Sequence, residues 1–467
     1  MKQPSRPPVM IMRPSVPLQD ERGNRPPDGP DGHFRPPAPA RREAGGPGSI
    51  VEDAGKRRVL LVSHTCYLDT NNGASVASRS MMECLQRNGI FAAAMSGMVL
   101  ESPHGVDPAE WLRETTAWAG PLVAIPAHAG SRGPNPDLPL AYRLDAGGIP
   151  VLLHRSPTML PHEPDDAESR EFLGLFESVL DGFRPDVIVN FGGNALAAAV
   201  RHLARLKGAA VVFALHNFNY RIRAPFDGVD AVIAPSQFAA AYHRKTLGIE
   251  CEPMPNLIDF DRVRAVAPDP RYVTFVNPTY EKGVYAFARI AEDLGKRRPD
   301  IPLLVVESRG TERTLVDCGV DLRVGGNVSM MAHTSDPRRF WGVTRLCLIP
   351  SLCWETQSLV AVEAMINGIP VIASDRGALP ETVGDAGLVL GLPPRLTPTT
   401  RELPTADEMR HWVKAIIGLW DDAAWYDEMS RRALAESRRW ASEVLEPQYV
   451  EFFRSLRPKA ATNGGDQ

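Results

Sequence analysis

The run Leu346–Ala373 limits the folds open to this chain more than any other stretch. Leu346, Leu348 and Ile349 make an apolar strand that ends at Pro350-Ser351, and a short loop carrying Glu355 follows. Leu359, Val362 and Ile366 then fall on one face of a helix, Gly368 stops it, and Pro370 opens another apolar strand, Val371–Ala373. A strand–helix–strand unit of this kind predicts a parallel sheet. It also places one acid at the helix entrance and a second, Glu363, on the second turn. A carboxylate near the positive end of a helix suits a site that holds hydroxyls and lies beside phosphate.

The same alternation recurs along most of the 467 residues. A first set of strands reads at Val59–Ser63, Ile90–Ala93, Val151–Leu153, Val187–Val189, Ala210–Leu215 and Ala231–Ile233. Helices lie between several of them, one from Gly73 to about Arg87 and one over Leu196–Leu206. A second set reads at Tyr272–Val276, Leu303–Val306, Leu346–Ile349, Val371–Ala373 and Leu388–Leu390. Strands without clean polar alternation belong to sheets covered on both faces. The expectation is two doubly wound α/β domains, 57–255 and 256–423, joined near Pro253–Asp261. A long helical stretch over about 424–455 carries Trp425, Tyr426, Trp440 and Tyr449. The segment 101–150, rich in Pro and Gly, reads as loops.

Residues 1–56 are different material: Pro7-Pro8, Pro26-Pro27, Pro36-Pro37 and Arg41-Arg42 with few aliphatics. Such a segment buries too little apolar surface to offset its ordering entropy, so a disordered tail is expected. The net charge of −4 offers no electrostatic case for nucleic acid. No apolar run approaches the roughly 18 residues of a membrane span, and the first dozens of residues lack the apolar core of a signal peptide. The six cysteines form no CxxC pair, which fits reduced thiols and a cytoplasmic location. Arg201, Arg205 and Lys207 lie near one another on a helix; a peripheral contact with the inner membrane face and a plain solvated face both fit them.

Glu355 followed by Glu363-Ala364-Met365, with Pro350-Ser351 before and Pro370 and Pro380-Glu381 after, closely resembles the paired-glutamate signature of the retaining glycosyltransferase family 4. The resemblance implies the GT-B fold, two Rossmann-like domains facing a cleft, with the terminal helix crossing back onto the first. It also implies a nucleotide-sugar donor, UDP- or GDP-linked, and a carbohydrate, lipid-linked or small-molecule acceptor. Segment 101–150 would lie near the acceptor. No cofactor and no metal are expected; Asp259-Phe260-Asp261 reads as a turn between the domains rather than a metal-binding DxD.

The resemblance assigns Glu355 to donor-sugar hydroxyls and Glu363 to the ribose diol, where an ionised carboxylate accepts two hydrogen bonds. Lys282, before Gly283, would face the leaving diphosphate together with the amides opening the helix after Glu355. Asn277 stands where relatives carry an arginine, so the phosphate loses one cation, a loss of about 3 kcal/mol in the transition state unless offset. Arg309 is the candidate to offset it. Thr356, Gln357 and Ser358 replace the glycines and Phe of relatives and are expected to narrow the donor pocket, with Leu359 beside them. Gly73, opening its helix, would let backbone and free amides approach an anion. His216, at a strand end, would reach the donor sugar as a hydrogen-bond donor or as an imidazolium. His64 ends the first strand in a similar position. A non-catalytic GT-B scaffold that only binds nucleotide sugar is the competing reading, with Asn277 as its support.

Overall fold

The computed structural model describes residues 56–101, 111, 114–115, 120–126, 139–320 and 326–459. The expected N-terminal tail lies outside the described residues up to position 55, as does the end of the chain from 460.

Among the described residues the main elements of the first half are β1 (Arg58–Thr65), α1 (Gly73–Arg87), β2 (Phe91–Val99), β3 (Val123–Ile125), β4 (Ala141–Ala146), β5 (Ile149–His154), α2 (Asp166–Phe183), β6 (Val187–Asn190), α3 (Ala195–Leu206), β7 (Ala210–Ala214), β8 (Ala231–Ala234), α4 (Gln237–Leu247) and β9 (Glu252–Pro253). They form a nine-stranded sheet of order β3-β4-β5-β2-β1-β6-β7-β8-β9. Val59–Val62 and Val187–Val189 are all at most 1% exposed, because helices cover both faces of this sheet.

The sheet is mixed rather than wholly parallel. β3 and β4 run antiparallel, as do β4 and β5, so part of the segment read as loops is a hairpin at the sheet edge. Its turn is Gly147-Gly148, both at positive φ (67° and 86°), the conformation a tight hairpin demands.

The second half contains α5 (Phe260–Val263), β10 (Tyr272–Val276), α6 (Val284–Arg297), β11 (Leu303–Val306), α7 (Glu312–Val316), β12 (Val328–Met331), α8 (Arg338–Trp341), β13 (Thr344–Ile349), α9 (Leu359–Ile366), β14 (Val371–Ser374), α10 (Leu379–Val383) and β15 (Gly387–Leu390). Its six strands are all parallel, in the order β12-β11-β10-β13-β14-β15. Strand order therefore reverses beside β10 and β13, and beside β1 and β6 in the first sheet. Open α/β sheets bind ligands at such switch points, beyond the carboxyl ends of the strands.

Helix α11 (Ala406–Asp421) precedes the stretch expected over 424–455, which is two helices, α12 (Ala423–Ser437) and α13 (Ser442–Ser455), rather than one. Asp422 ends the first and caps the second by accepting the amide of Trp425. Ala441, extended at ψ 148°, breaks the chain again before α13. That last helix lies against the first domain: Glu446 accepts from Arg87 and Asn88, and the Tyr449 hydroxyl donates to the carbonyl of Pro255 at 3.0 Å. Asp259 accepts the amide of Asp261 and caps α5, which accounts for the Asp-Phe-Asp string as a helix start.

The basic face expected on α3 is not free. Arg201 is buried and donates to Asn190 Oδ1 at 2.7 Å, Arg205 pairs with Asp230 at 2.9 Å, and Lys207 with Asp181 at 2.7 Å. Each cation satisfies an acid or amide of the same domain, so the charges on this face are paired. No helix among the described residues is long and apolar enough to cross a membrane. All six cysteines are free thiols, five of them buried.

Candidate functional site

Two tight backbone approaches build the second-domain wall of the cleft. Gly283 sits at φ 85°, and a Cβ there would lie 1.9 Å from the carbonyl oxygen of Pro350. Gly377, at φ 63°, would place a Cβ 2.4 Å from the carbonyl oxygen of Glu355. No other residue fits either position, and together they press the loops carrying Lys282 and Glu355 into one corner.

There Lys282 Nζ donates to Glu355 Oε1 at 2.6 Å, and Ser351 Oγ donates to the same oxygen at 2.7 Å. Burial alone would lower the Lys282 pKa, but the carboxylate beside it outweighs that and holds the ammonium above its ordinary value. The ammonium therefore stays charged in this corner, stabilised by the oxygen it donates to.

Helix α9 starts immediately above this pair. Ser358 caps it by accepting the amide of Ala361, and Leu359 and Val360 border the cleft at its positive end. Glu363, one turn on, accepts from Trp341 Nε1 at 3.0 Å through Oε2. Burial pushes its pKa up to about 7, the indole hydrogen bond only partly opposing the shift. The indole occupies one side of the carboxylate, so Oε1 is the oxygen left for a ligand.

Several expected donor contacts are used otherwise. Asn277 is at φ 62°, a conformation that asparagine tolerates and arginine does not favour. Its Oδ1 accepts the amide of Gly310 at 3.0 Å, tying two loops together instead of reaching out for phosphate. Arg309 does reach the cleft, but its guanidinium is claimed by two carboxylates, Glu101 at 2.7 Å and Glu281 at 3.1 Å. Gln357 is buried and accepts the amide of Asn256 at 2.7 Å, whereas Thr356 donates to the carbonyl of His216 at 3.3 Å. Thr356 thus ties the two domains together, Gln357 holds the linker at Asn256, and Ser358 is a helix cap, and all three line the cleft.

Arg376 was missed by the sequence reading. It lines the cleft beside Gly377, and its Nε and Nη2 have no hydrogen-bond partner in the buried space they occupy. Its nearest acid, Asp375, is 3.7 Å away. A cation with spare donors is what the Asn277 position lacks, and the string Asp375-Arg376-Gly377 was the available signal.

The first-domain wall is built from strand ends. Asn72 caps α1 and accepts the amides of Ala74 and Ser75, so the free amides expected near Gly73 are already partly used. Gly73 itself faces open space, with nothing within 4 Å of an added Cβ. His216 stands edge-on to Phe191, ring centroids 4.9 Å apart, and its Nε2 has no partner. Burial lowers its pKa to about 4, which favours the neutral imidazole in the unliganded cleft. His64 lies off the cleft, paired with Glu168 at 2.9 Å.

Across the cleft, exposed Trp354 packs its edge on Phe218, Phe238 and Tyr242, with centroids 5.2–5.8 Å apart. Glu381 of α10 accepts the first two amides of α4, Gln237 at 2.9 Å and Phe238 at 2.8 Å. Between the walls lies a cavity of about 1200 Å³ bordered by Gly73, His216, Asn277, Lys282, Glu355 and Glu363. A cleft of this size, apolar in part and with a few convergent charged groups, takes a ligand larger than one sugar.

Known proteins place this geometry. Residues 131–262 match a family described as Glycosyltransferase Family 4, and residues 270–417 match one described as Glycosyl transferases group 1. A phosphatidyl-myo-inositol mannosyltransferase of Mycolicibacterium smegmatis is 26% identical over 239 residues, covering 48% of this chain and 57% of that relative. The chain thus aligns with little more than half of that protein's length. Among solved structures, sucrose-phosphate synthase from Thermosynechococcus elongatus superposes with a TM-score of 0.60 at 17% identity, over 86% of this chain and 99% of that one. Anabaena HepE, crystallised with UDP-glucose, gives a TM-score of 0.57 at 17% identity, over 85% and 100%. With adjacent family matches on its two halves, the paired glutamates on α9 and two Rossmann-like sheets around one cleft, the chain belongs to the family 4, group 1 glycosyltransferases and has the GT-B fold.

Proposed function

We propose that this protein transfers a hexose from a nucleotide sugar to an acceptor hydroxyl, with retention of anomeric configuration. The observation that carries this reading is the convergence of Lys282, Glu355 and the N-terminus of α9 at the carboxyl ends of β10 and β13, with Glu363 one turn above. Anabaena HepE, of the same fold, binds UDP-glucose, which supports a UDP-linked donor; a GDP-linked donor fits the same groups.

In this reading the diphosphate lies against α9, where helix amides and Lys282 stabilise the charge that develops as it leaves. Lys282 then exchanges part of its bond to Glu355 for phosphate oxygen, and Glu355 turns to a hydroxyl of the sugar. Glu363 takes the ribose through Oε1. Neutral His216 offers Nε2 to the sugar or the incoming acceptor from the opposite wall. The acceptor hydroxyl attacks from the face the diphosphate leaves, and a phosphate oxygen takes its proton. Positioning and charge stabilisation carry the rate, without a protein nucleophile. No metal is assigned to this step, because Lys282, Arg376 and the helix dipole supply the positive charge.

The scaffold reading drew on Asn277. Its left-handed backbone and its bond to Gly310 give that residue a structural reason, and Arg376 lines the same cleft as a cation. The acceptor is a carbohydrate, a lipid-linked sugar or a small alcohol; the mannosyltransferase relative acts, by its name, on phosphatidyl-myo-inositol.

The test is calorimetry with UDP-, GDP- and ADP-linked sugars, followed by NMR of the anomeric product. One donor is expected to bind, with Glu363→Ala weakening binding more than Lys282→Ala and the latter mainly slowing turnover. Binding that survives both substitutions unchanged, or a product of inverted configuration, overturns the reading.

A further inference from the structure

A second cluster of polar groups lies off the cleft and plays no part in the proposed transfer. His64 ends β1, His162 lies on the loop between β5 and α2, and Glu168 sits in the first turn of α2. The other two are far from His64 in sequence, Glu168 by 104 residues, and the fold brings all three together. Glu168 is buried, 3% exposed. Its Oε1 is 2.9 Å from His64 Nε2, and its Oε2 is 2.7 Å from His162 Nε2. The two imidazoles meet edge to face with centroids 5.1 Å apart, and one ligand atom from each residue lies within 4.8 Å of the others.

The hydrogen-bond arithmetic around His162 is informative. Its Nδ1 is 2.9 Å from the carbonyl oxygen of Leu160, which only accepts, so Nδ1 carries the hydrogen. In a neutral imidazole Nε2 then bears a lone pair, and that lone pair faces an ionised carboxylate oxygen at 2.7 Å. Two acceptors do not stay at that distance unless something positive lies between them. In this structure that is a second proton on the ring, and a metal ion bound to both groups would take its place. An imidazole that donates its far N–H to a backbone carbonyl while turning its near nitrogen to a carboxylate is arranged as metal-binding histidines are.

The surroundings suit an ion. Asp165 caps α2 by accepting the amides of Ala167 and Glu168, which fixes where Glu168 starts. Gly97 of β2 lies so close to β1 that an added Cβ would be 2.2 Å from the carbonyl oxygen of His64, so that residue is held from behind. In front is a separate cavity of about 200 Å³ that His64 and His162 line together with Thr65 and Phe191, and these last two also border the main cleft. A fourth coordination position therefore has room to open toward the acceptor side.

We propose that His64, His162 and Glu168 bind one divalent transition-metal ion of the zinc class. Two imidazoles and a carboxylate with an open position suit zinc, and also cobalt(II) used in its place. The ion displaces the proton between His162 and Glu168, and its open position takes water or an oxygen of a ligand in the 200 Å³ cavity. This assignment does not depend on the transfer reaction, since none of the three residues belongs to the proposed donor site.

The experiment uses the full chain, stripped with a chelator and titrated with cobalt(II) and then zinc. Visible ligand-field bands at one equivalent, lost on adding zinc, are expected. His162→Gln and Glu168→Gln are each expected to weaken zinc binding by at least about 100-fold, whereas Glu171→Gln, on the next turn, leaves it unchanged. His162 is on a part-exposed loop, so a thermal melt of His162→Gln shows whether the fold is intact. The proposal is overturned if the bands persist in the His64→Gln/His162→Gln double variant. It is equally overturned if zinc fails to bind and proton NMR shows His162 doubly protonated at pH 7.

Discussion

The two walls of the cleft are made in opposite ways. On the second-domain wall most charged groups already have partners, Lys282 with Glu355, Glu363 with the Trp341 indole and Arg309 with Glu281, while Arg376 keeps spare donors. On the first-domain wall the polar groups are fewer and emptier: His216 with a bare Nε2, and Gly73 facing open space. The difference teaches where organisation is costly. A site that stabilises developing charge must have its dipoles oriented beforehand, whereas a wall that admits varied acceptors needs room and a few unpaired donors.

The largest expected effect tests whether the charged wall depends on its tight backbone. Gly283→Ala puts a Cβ against the Pro350 carbonyl and strains a positive φ, so a loss of about 3 kcal/mol or more in denaturant melts is expected. A melt within experimental error of the wild type would break the argument that this corner is over-determined.

Lys282→Ala should lower turnover at saturating donor by roughly 100- to 1000-fold, and His216→Ala on the facing wall by about tenfold, in line with a neutral hydrogen bond. Equal losses would erase the distinction between the walls.

Glu363 gives a pH test with a definite sign. Its native pKa of about 7 lies above the ordinary 4.5, so between these values the native state holds a proton the unfolded chain has released. Stability of the unliganded protein should therefore fall as pH rises from 5 to 7 by roughly 1–3 kcal/mol, and Glu363→Gln should flatten that slope. Nucleotide binding should run the other way, tightening toward pH 7 and above as the carboxylate ionises to accept the ribose. His216, already neutral, should leave no titration step in either profile near pH 6.5.

The smallest contrast compares two arginines. Arg376→Ala should lower kcat/KM by about tenfold, the worth of a charge-assisted hydrogen bond, and Arg309→Ala by less, because Glu101 and Glu281 already neutralise it. The reverse order would return the compensating role to Arg309.

Much of the second sheet was legible because its strands are buried runs such as Leu346–Ile349 and Val371–Ala373, and buried parallel strands carry a strong apolar signal. The β4–β5 hairpin was not, although Gly147-Gly148 between alternating residues was a usable sign. It lies next to the sheet edge, where β4 leaves Arg143 and Asp145 exposed beside buried neighbours. The last two helices were read as one stretch over 424–455, because no Gly or Pro marks the break at Ala441, where the backbone becomes extended.

The linear order of residues was sufficient to determine two Rossmann-like units and the α9 acids, because hydrophobic period and helix-end chemistry are local properties. It was not sufficient to say what those side chains touch. That Asn277 is bound to Gly310, that Arg309 lies between two carboxylates and Gln357 against the interdomain linker, and that His64 meets His162 and Glu168, was decided by packing. Each of these contacts joins segments that only the closed tertiary structure brings within a few ångströms, and the strength of a charge or hydrogen bond depends on that distance and on how little water remains between the partners.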